Sequence, residues 1–145
     1  MKKVDAILKS KSNTIIYSVL PNISVYDALK IMMEKNISSI LIMTGDELKG
    51  IFTERDYARK VILHGKSSKE IMISEIMTPD PITVSPDSTL EHCMGLMTDK
   101  HIRHLPIVQN TIVVGMLSIG DVVKFIIEDQ KNTIEHLQGY MGLFS

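Results

Sequence analysis

The sequence predicts an α+β fold built from one β-α-β-β-α unit used twice. Three observations carry that prediction. The stretch Gly50-Ile51-Phe52-Thr53-Glu54-Arg55-Asp56 returns as Gly115-Met116-Leu117-Ser118-Ile119-Gly120-Asp121. Adding 65 to a residue number maps Val19, Pro21, Met32, Lys35, Ile37 and Ile42 onto Val84, Pro86, Met97, Lys100, Ile102 and Ile107. Helical apolar spacing and dense strand-like runs also alternate in the same order in both copies. A constant offset of this length marks two copies of one supersecondary unit.

Val4-Asp5-Ala6-Ile7-Leu8 reads as a short helix packed on the core, with Ile73-Ser74-Glu75-Ile76-Met77 as its counterpart before copy two. Extended pieces follow near Tyr17–Val19 and Ile82–Val84, closed by turns at Pro21-Asn22 and Pro86-Asp87. The apolar positions Val25, Ala28, Leu29, Met32 and Met33 predict a helix over Val25–Lys35. Leu90, Cys93, Met94 and Met97 predict its counterpart over Thr89–Lys100, opened by a capping box of Ser88 and Glu91. Dense apolar strands follow at Ile37–Met43 and Ile102–Val108. Turn residues at Gly45-Asp46 and Gln109-Asn110 lead each into a second strand, Leu48–Phe52 or Ile112–Leu117. Closing helices are expected near Glu54–Leu63 and Ile119–Asp129, with His64 to Ser68 as the linker. Residues 1–66 thus form the first repeat with its N-terminal helix, 67–130 the second, and 131–145 a C-terminal helical extension.

Composition narrows the function. A chain of 145 residues can bury a core. A net charge of -1 gives no reason to expect nucleic acid or a polybasic membrane anchor. No long uncharged apolar run predicts a transmembrane helix, and Met1-Lys2-Lys3-Val4-Asp5-Ala6 turns polar too soon for a signal peptide. The single Cys93 suits a reducing compartment, so a cytoplasmic protein is expected; with no activating base nearby it reads as a buried thiol. There are 10 Met and no Trp, a composition suited to adaptable contacts. The stripe Ile134, Leu137, Tyr140 and Met141, with Met32, Met33, Met94 and Met97 expected at the surface, suggests a homodimer. His101 and His104 stand three apart with no further ligands, so no metal site is expected. Neither a Walker-type loop nor a dinucleotide fingerprint is present, and no nucleophile-base constellation points to an enzyme.

The two Gly-apolar-apolar-Ser/Thr-x-x-Asp stretches, Met77-Thr78-Pro79-Asp80-Pro81 and Arg103-His104-Leu105-Pro106-Ile107 together resemble a tandem pair of cystathionine β-synthase (CBS) domains, a Bateman module. The resemblance covers about Asn13 to Asp129. Thr53-Glu54-Arg55-Asp56-Tyr57-Ala58-Arg59 is similar to stand-alone bacterial and archaeal CBS pairs and their plant relatives. It implies two repeats packed about a pseudo-twofold axis, sheets facing each other and helices outside. It implies two clefts for adenine nucleotides or related adenosyl ligands, with AMP, ATP, NAD and S-adenosylmethionine all in the class. It also implies pairing of modules into a disc.

Thr53 with Asp56, and Ser118 with Asp121, read first as helix caps with an acidic third residue. Capping boxes favour Glu or Gln, and an Asp is expected to reach back poorly. A carboxylate fixed at a cleft can instead accept two ribose hydroxyls, with helix N–H groups offered to phosphate. Arg103 and His104 are either a strand-edge pair facing water or a phosphate site on the cleft floor. Copy one carries Ser38 and Ser39 there, so the clefts are unequal and copy two should take the more anionic ligand. Arg55, replaced by Gly120 in copy two, is either a cross-repeat phosphate contact or a solvated helix residue. By the family resemblance, Tyr17 with Ile15-Ile16, and Ile82 with its neighbours, would face adenine; Pro106 would shape its strand. The leading function is a non-catalytic sensor that binds an adenosyl ligand and signals to a protein target. An interaction module with vestigial clefts is the alternative, and a nucleotide-processing enzyme lacks an acid, base or metal.

Overall fold

The computed structural model describes residues 2–10 and 15–142; the expected family boundary at Asn13 and residues 143–145 of the C-terminal extension lie outside them. Each repeat is a hairpin with helices on its outer face. In copy one these elements are α1 (Val4–Ser10), β1 (Ser18–Val19), α2 (Val25–Lys35), β2 (Ser39–Thr44), β3 (Glu47–Thr53) and α3 (Glu54–Tyr57). α3 runs on as a π-helical turn over Ala58–Ile62. Then come α4 (Ile73–Ile76), β4 (Thr78–Pro79), α5 (Leu90–Lys100), β5 (His104–Gln109), β6 (Ile112–Ser118) and α6 (Ile119–Gly142).

Local chemistry sets the helix ends. The Ser24 hydroxyl accepts from the Asp27 N–H at 3.0 Å, and the Thr89 hydroxyl accepts from the His92 N–H at 3.1 Å. These are equivalent caps on α2 and α5. The expected box of Ser88 and Glu91 is therefore displaced by one residue: the Ser88 hydroxyl turns back to accept from the Ser85 N–H at 3.0 Å. Asn36 and His101 close the same two helices in left-handed geometry, φ 54° and 55°.

The repeat reappears in strand register. β2 and β3 pair antiparallel, as do β5 and β6, and both hairpins slip register at matched points, Ile42/Met43 and Ile107/Val108. β1 pairs with β2 over two residues, Ser18 with Leu41 and Val19 with Ile42. In copy two this shrinks to one bridge, Val84 with Ile107. The cause is Pro106. In copy one the Leu41 N–H donates to the Tyr17 carbonyl at 3.3 Å; Pro106, its counterpart, has no N–H to donate.

Each short helix serves the core of the other repeat. Val4 and Ile7 of α1 pack with Val84, Leu90, Cys93 and Leu105 of copy two. Ile73 and Ile76 of α4 pack with Val25, Ala28, Ile40 and Phe52 of copy one. The docking bonds match: Val4 N–H to Ser88 and Asp5 N–H to Pro86, against Ile73 N–H to Ile23 and Ser74 N–H to Pro21. A third apolar cluster, Leu41, Ile51 and Val113 with Ile16, Met43 and Met116, lies between the two sheets.

Two expectations change. Met32 and Met97 are core residues, 3% and 5% exposed, and Met94 is half-buried; of the four methionines expected at a partner surface only Met33 is exposed. Their helical stripe faces inward because it continues the Val25–Ala28 and Leu90–Cys93 faces. The closing helix of copy two also does not stop near Asp129. α6 continues unbroken through Gln130-Lys131-Asn132-Thr133, which contain no Gly or Pro to end it.

β4 lies against β3, with Gly50 opposite Pro79. A Cβ on Gly50 would stand 2.9 Å from the Thr78 carbonyl oxygen and 2.5 Å from Met77 Sδ. On Gly115 it would meet the movable Leu8 Cδ2 at 2.9 Å. Gly50→Ala is therefore expected to lower stability by about 1–3 kcal/mol, measured by urea unfolding, with a smaller loss for Gly115→Ala.

Candidate functional site

The site grows from the two strand-to-helix junctions. Thr53 ends β3 and Ser118 ends β6, so each hydroxyl stands at a helix entry and each aspartate one turn in. The Asp56 N–H donates to the Thr53 hydroxyl at 3.1 Å, and the Thr53 N–H donates to Asp56 Oδ2 at 3.0 Å. In copy two the same bonds are 3.0 and 2.9 Å. Asp thus does reach back, against expectation, and closes a reciprocal box in both copies. A carboxylate has about four lone-pair sites, so capping and ligand binding are compatible.

A cleft of about 360 Å³ opens between the repeats at the copy-two junction. Ser118, Asp121, His104 and Met116 form its copy-two side. Copy one contributes Ile15–Tyr17, Asn36–Ser39 and Leu41. The Ser38 hydroxyl and His104 Nε2 meet across the repeats at 3.0 Å. Lys35 stands over the outer Tyr17 ring, 5.8 Å from its centroid. The described lining residues include no Lys or Arg.

Of the residues expected at a site, Tyr17, Ser39, His104, Ser118 and Asp121 come together here; Thr53, Arg55, Asp56, Ile82, Arg103 and Pro106 do not. Asp121 shares this cleft with His104 and also with Ser38 and Ser39 of the other repeat, and Arg103 is not among its described lining residues. The strand starts of both repeats meet at this junction: the Ile119 N–H donates to the Arg103 carbonyl at 2.9 Å within copy two, while Ser38 and Ser39 come from copy one. Arg55 does cross between repeats, but its Nη1 donates to the His101 carbonyl at 2.8 Å, capping the C-terminus of α5. Arg103 is exposed, and Pro106 is buried with its carbonyl accepting from the Val84 N–H at 3.0 Å. Asn36, Ile37, Leu41 and Met116 were not anticipated, and Ser38 was expected at the cleft of Asp56, as the counterpart of Arg103.

Burial pushes the His104 imidazole below its ordinary pKa; Asp121 pulls it up, Arg103 pushes it down and Glu54 pulls it up, burial being the largest influence. The cleft thus holds a neutral imidazole. A histidine depressed on folding binds protons more readily in the unfolded chain, so its contribution is present at neutral pH and lost as pH falls. Stability should therefore fall as pH drops below the ordinary histidine value of about 6.5, toward the lower folded value. His104→Gln should flatten that part of the profile, as followed by thermal melts across the pH series.

Among the described residues no helix is long and apolar enough to cross a membrane, and no group of three or more His, Cys, Asp or Glu is placed to hold a metal. The CBS domain profile matches residues 10–63 and 73–128. The chain is 40% identical over 123 residues to the mitochondrial CBS domain-containing protein CBSX3 of Arabidopsis thaliana, an alignment covering 81% of this chain and 60% of that protein's length. A putative signal-transduction protein with CBS domains from Burkholderia ambifaria is similar in structure, with a TM-score of 0.85 and 47% identity over 89% of this chain and 96% of that one. The CBS domain pair of protein MJ0100, in complex with 5′-methylthioadenosine and S-adenosyl-L-methionine, has a TM-score of 0.77 and 28% identity, covering 89% of this chain and 98% of that one.

Proposed function

The chain belongs to the CBS domain family, and from that premise we propose that it is a non-catalytic regulatory module binding an adenosyl ligand between its two repeats. The carrying observation is the cleft that brings Asp121 and Ser118 of one repeat against Tyr17, Ile37 and Ser38 of the other. A cleft of about 360 Å³ lies within the range of small-molecule sites. Asp121 takes the ribose hydroxyls, the apolar wall of Ile15–Tyr17 and Ile37 takes the purine, and the 5′ substituent lies toward His104.

Charge refines the ligand. Copy two was expected to take the more anionic ligand, but the neutral His104 and the absence of Lys or Arg from the described lining favour a 5′ group with little negative charge. Among the described residues, the cation beside this wall is Lys35, over the Tyr17 ring. The methylthioadenosine held by the MJ0100 pair is a ligand of this kind. Binding between two repeats shifts their relative positions only by its differential affinity for the alternatives; that shift is the signal passed to a protein target in a cytoplasmic setting.

A second copy of the chain is the proposed partner of α6. Val123, Ile127, Gln130, Ile134, Leu137 and Met141 follow alternating steps of four and three along it, the spacing of a two-helix seam. The five apolar members are exposed, Val123 at 47% and Met141 at 69%. Light scattering at micromolar concentration should give a dimer mass, and Leu137→Asp should give a monomer; a monomeric wild type would remove this partner.

The ligand is tested by purifying the chain, denaturing it and identifying released small molecules by mass spectrometry, then by calorimetry with 5′-methylthioadenosine and ATP. Methylthioadenosine should bind the Asp121 cleft more tightly than ATP. Asp121→Ala should cost about 2–3 kcal/mol, roughly 30- to 150-fold in affinity. Unchanged affinity in Asp121→Ala would return this aspartate to the role of a helix cap alone.

A further inference from the structure

The outer half of α6 projects from the module. Every residue from Gln130 to Gly142 is exposed, whereas buried Val122 and partly buried Phe125 and Ile126 seat the inner half on the copy-two core. The projecting part is about three and a half turns long, a length at which an isolated helix is marginal in water. A partner along its seam would supply the missing stability. The seam also has an internal order. Its steps of four and three place Ile127, Ile134 and Met141 at one position type and Val123, Gln130 and Leu137 at the other. Isoleucine at the first type with leucine at the second favours parallel two-stranded pairing. Gln130 is the polar member of the six. Its amide holds both donors and an acceptor, so an identical amide satisfies it. Lys124 and Lys131 directly follow Val123 and Gln130 and flank the seam on one side.

We propose that α6 pairs with α6 of a second copy in parallel and in register, the two Gln130 amides hydrogen-bonded to each other across the seam. The antiparallel alternative sets Gln130 against Ile134, which offers its amide no partner. It also brings the two Lys131 ammonium groups side by side, whereas parallel pairing separates them to opposite sides of the seam. One buried polar pair fixes register in such seams. Parallel pairing also orients the modules: both lie toward the same end of the helix pair, related by a twofold axis along it. The two copy-two repeats are then neighbours. This inference rests on the second copy proposed above as the partner of α6, and adds its direction and register.

The test uses the full chain carrying Met141→Cys. Parallel pairing puts the two introduced thiols opposite each other near the helix ends; antiparallel pairing puts each beside Val123 instead. Mild oxidation should carry nearly all of Met141→Cys into a covalent dimer on a non-reducing gel. The wild type, whose Cys93 is buried, should stay at monomer mass on the same gel. Absence of the cross-link in a variant that light scattering shows to be dimeric overturns the parallel direction. Two further variants test the register. Gln130→Glu and Gln130→Lys should each weaken the dimer by about 10-fold or more, and their equimolar mixture should recover a heterodimer, because opposite charges meet at residue 130 only in register. A mixture that associates no better than either variant alone overturns the Gln130 contact. The partner reading fails separately: a wild type of monomer mass, or a dimer that Leu137→Asp does not dissociate, removes the second copy from α6 and this direction with it.

Discussion

Two hairpin sheets, each with a second apolar face to cover, set the terms for this structure. Helices cover one face of each; the other is buried only against the opposite sheet, where Leu41 and Ile51 meet Val113. Once the sheets face each other, the ends of β3 and β6 are brought beside the strand starts of the opposite repeat. That is why one cleft is walled by Ser118 and Asp121 on one side and by Tyr17, Ser38 and Ser39 on the other. The exchange of α1 and α4 reinforces the arrangement, because each repeat completes its core with a helix drawn from across the boundary. Neither repeat has a complete core by itself.

Within that frame the departures from symmetry are small in number and chemical in kind. Pro106 removes one N–H and reduces a two-residue pairing to a single bridge. Ser38 faces His104, so one cleft receives a hydroxyl and an imidazole held neutral by burial. Lys60 stands where copy two has Phe125, and it pairs with Asp56 and ties it to the connecting segment. Each change alters a hydrogen-bonding or charged group at a junction and leaves the hairpin cores intact. A duplicated unit can diverge in this way because its packing is fixed by apolar positions while its junction residues remain partly exposed.

The aspartates show how a capping role leaves a carboxylate with further acceptor sites. Each uses Oδ2 to accept the N–H of its capping partner, which fixes the carboxylate at a helix entry. A carboxylate fixed by its own backbone loses little further freedom when it meets a ligand, so the cap is part of the preorganisation. Sequence reasoning allows these residues to be caps and ligand acceptors at once; the observed geometry satisfies the first and is compatible with the second.

The sequence by itself determined the duplication, the order of elements within each copy, the hairpin turns and the junction aspartates. All of these are local or periodic, and the offset of 65 states them twice. It also contained Pro106, whose missing N–H shortens a strand pairing. Only the tertiary structure decided which core each short helix enters, that Met32 and Met97 are buried, and that Ser38 of copy one shares a cleft with Asp121. Those outcomes depend on which faces meet across the pseudo-twofold arrangement, and apolar spacing marks a face without naming the surface that covers it. The same holds for Lys60: its distance of four from Asp56 is written in the chain, but its bond to the Ile76 carbonyl exists only because α4 folds back onto copy one.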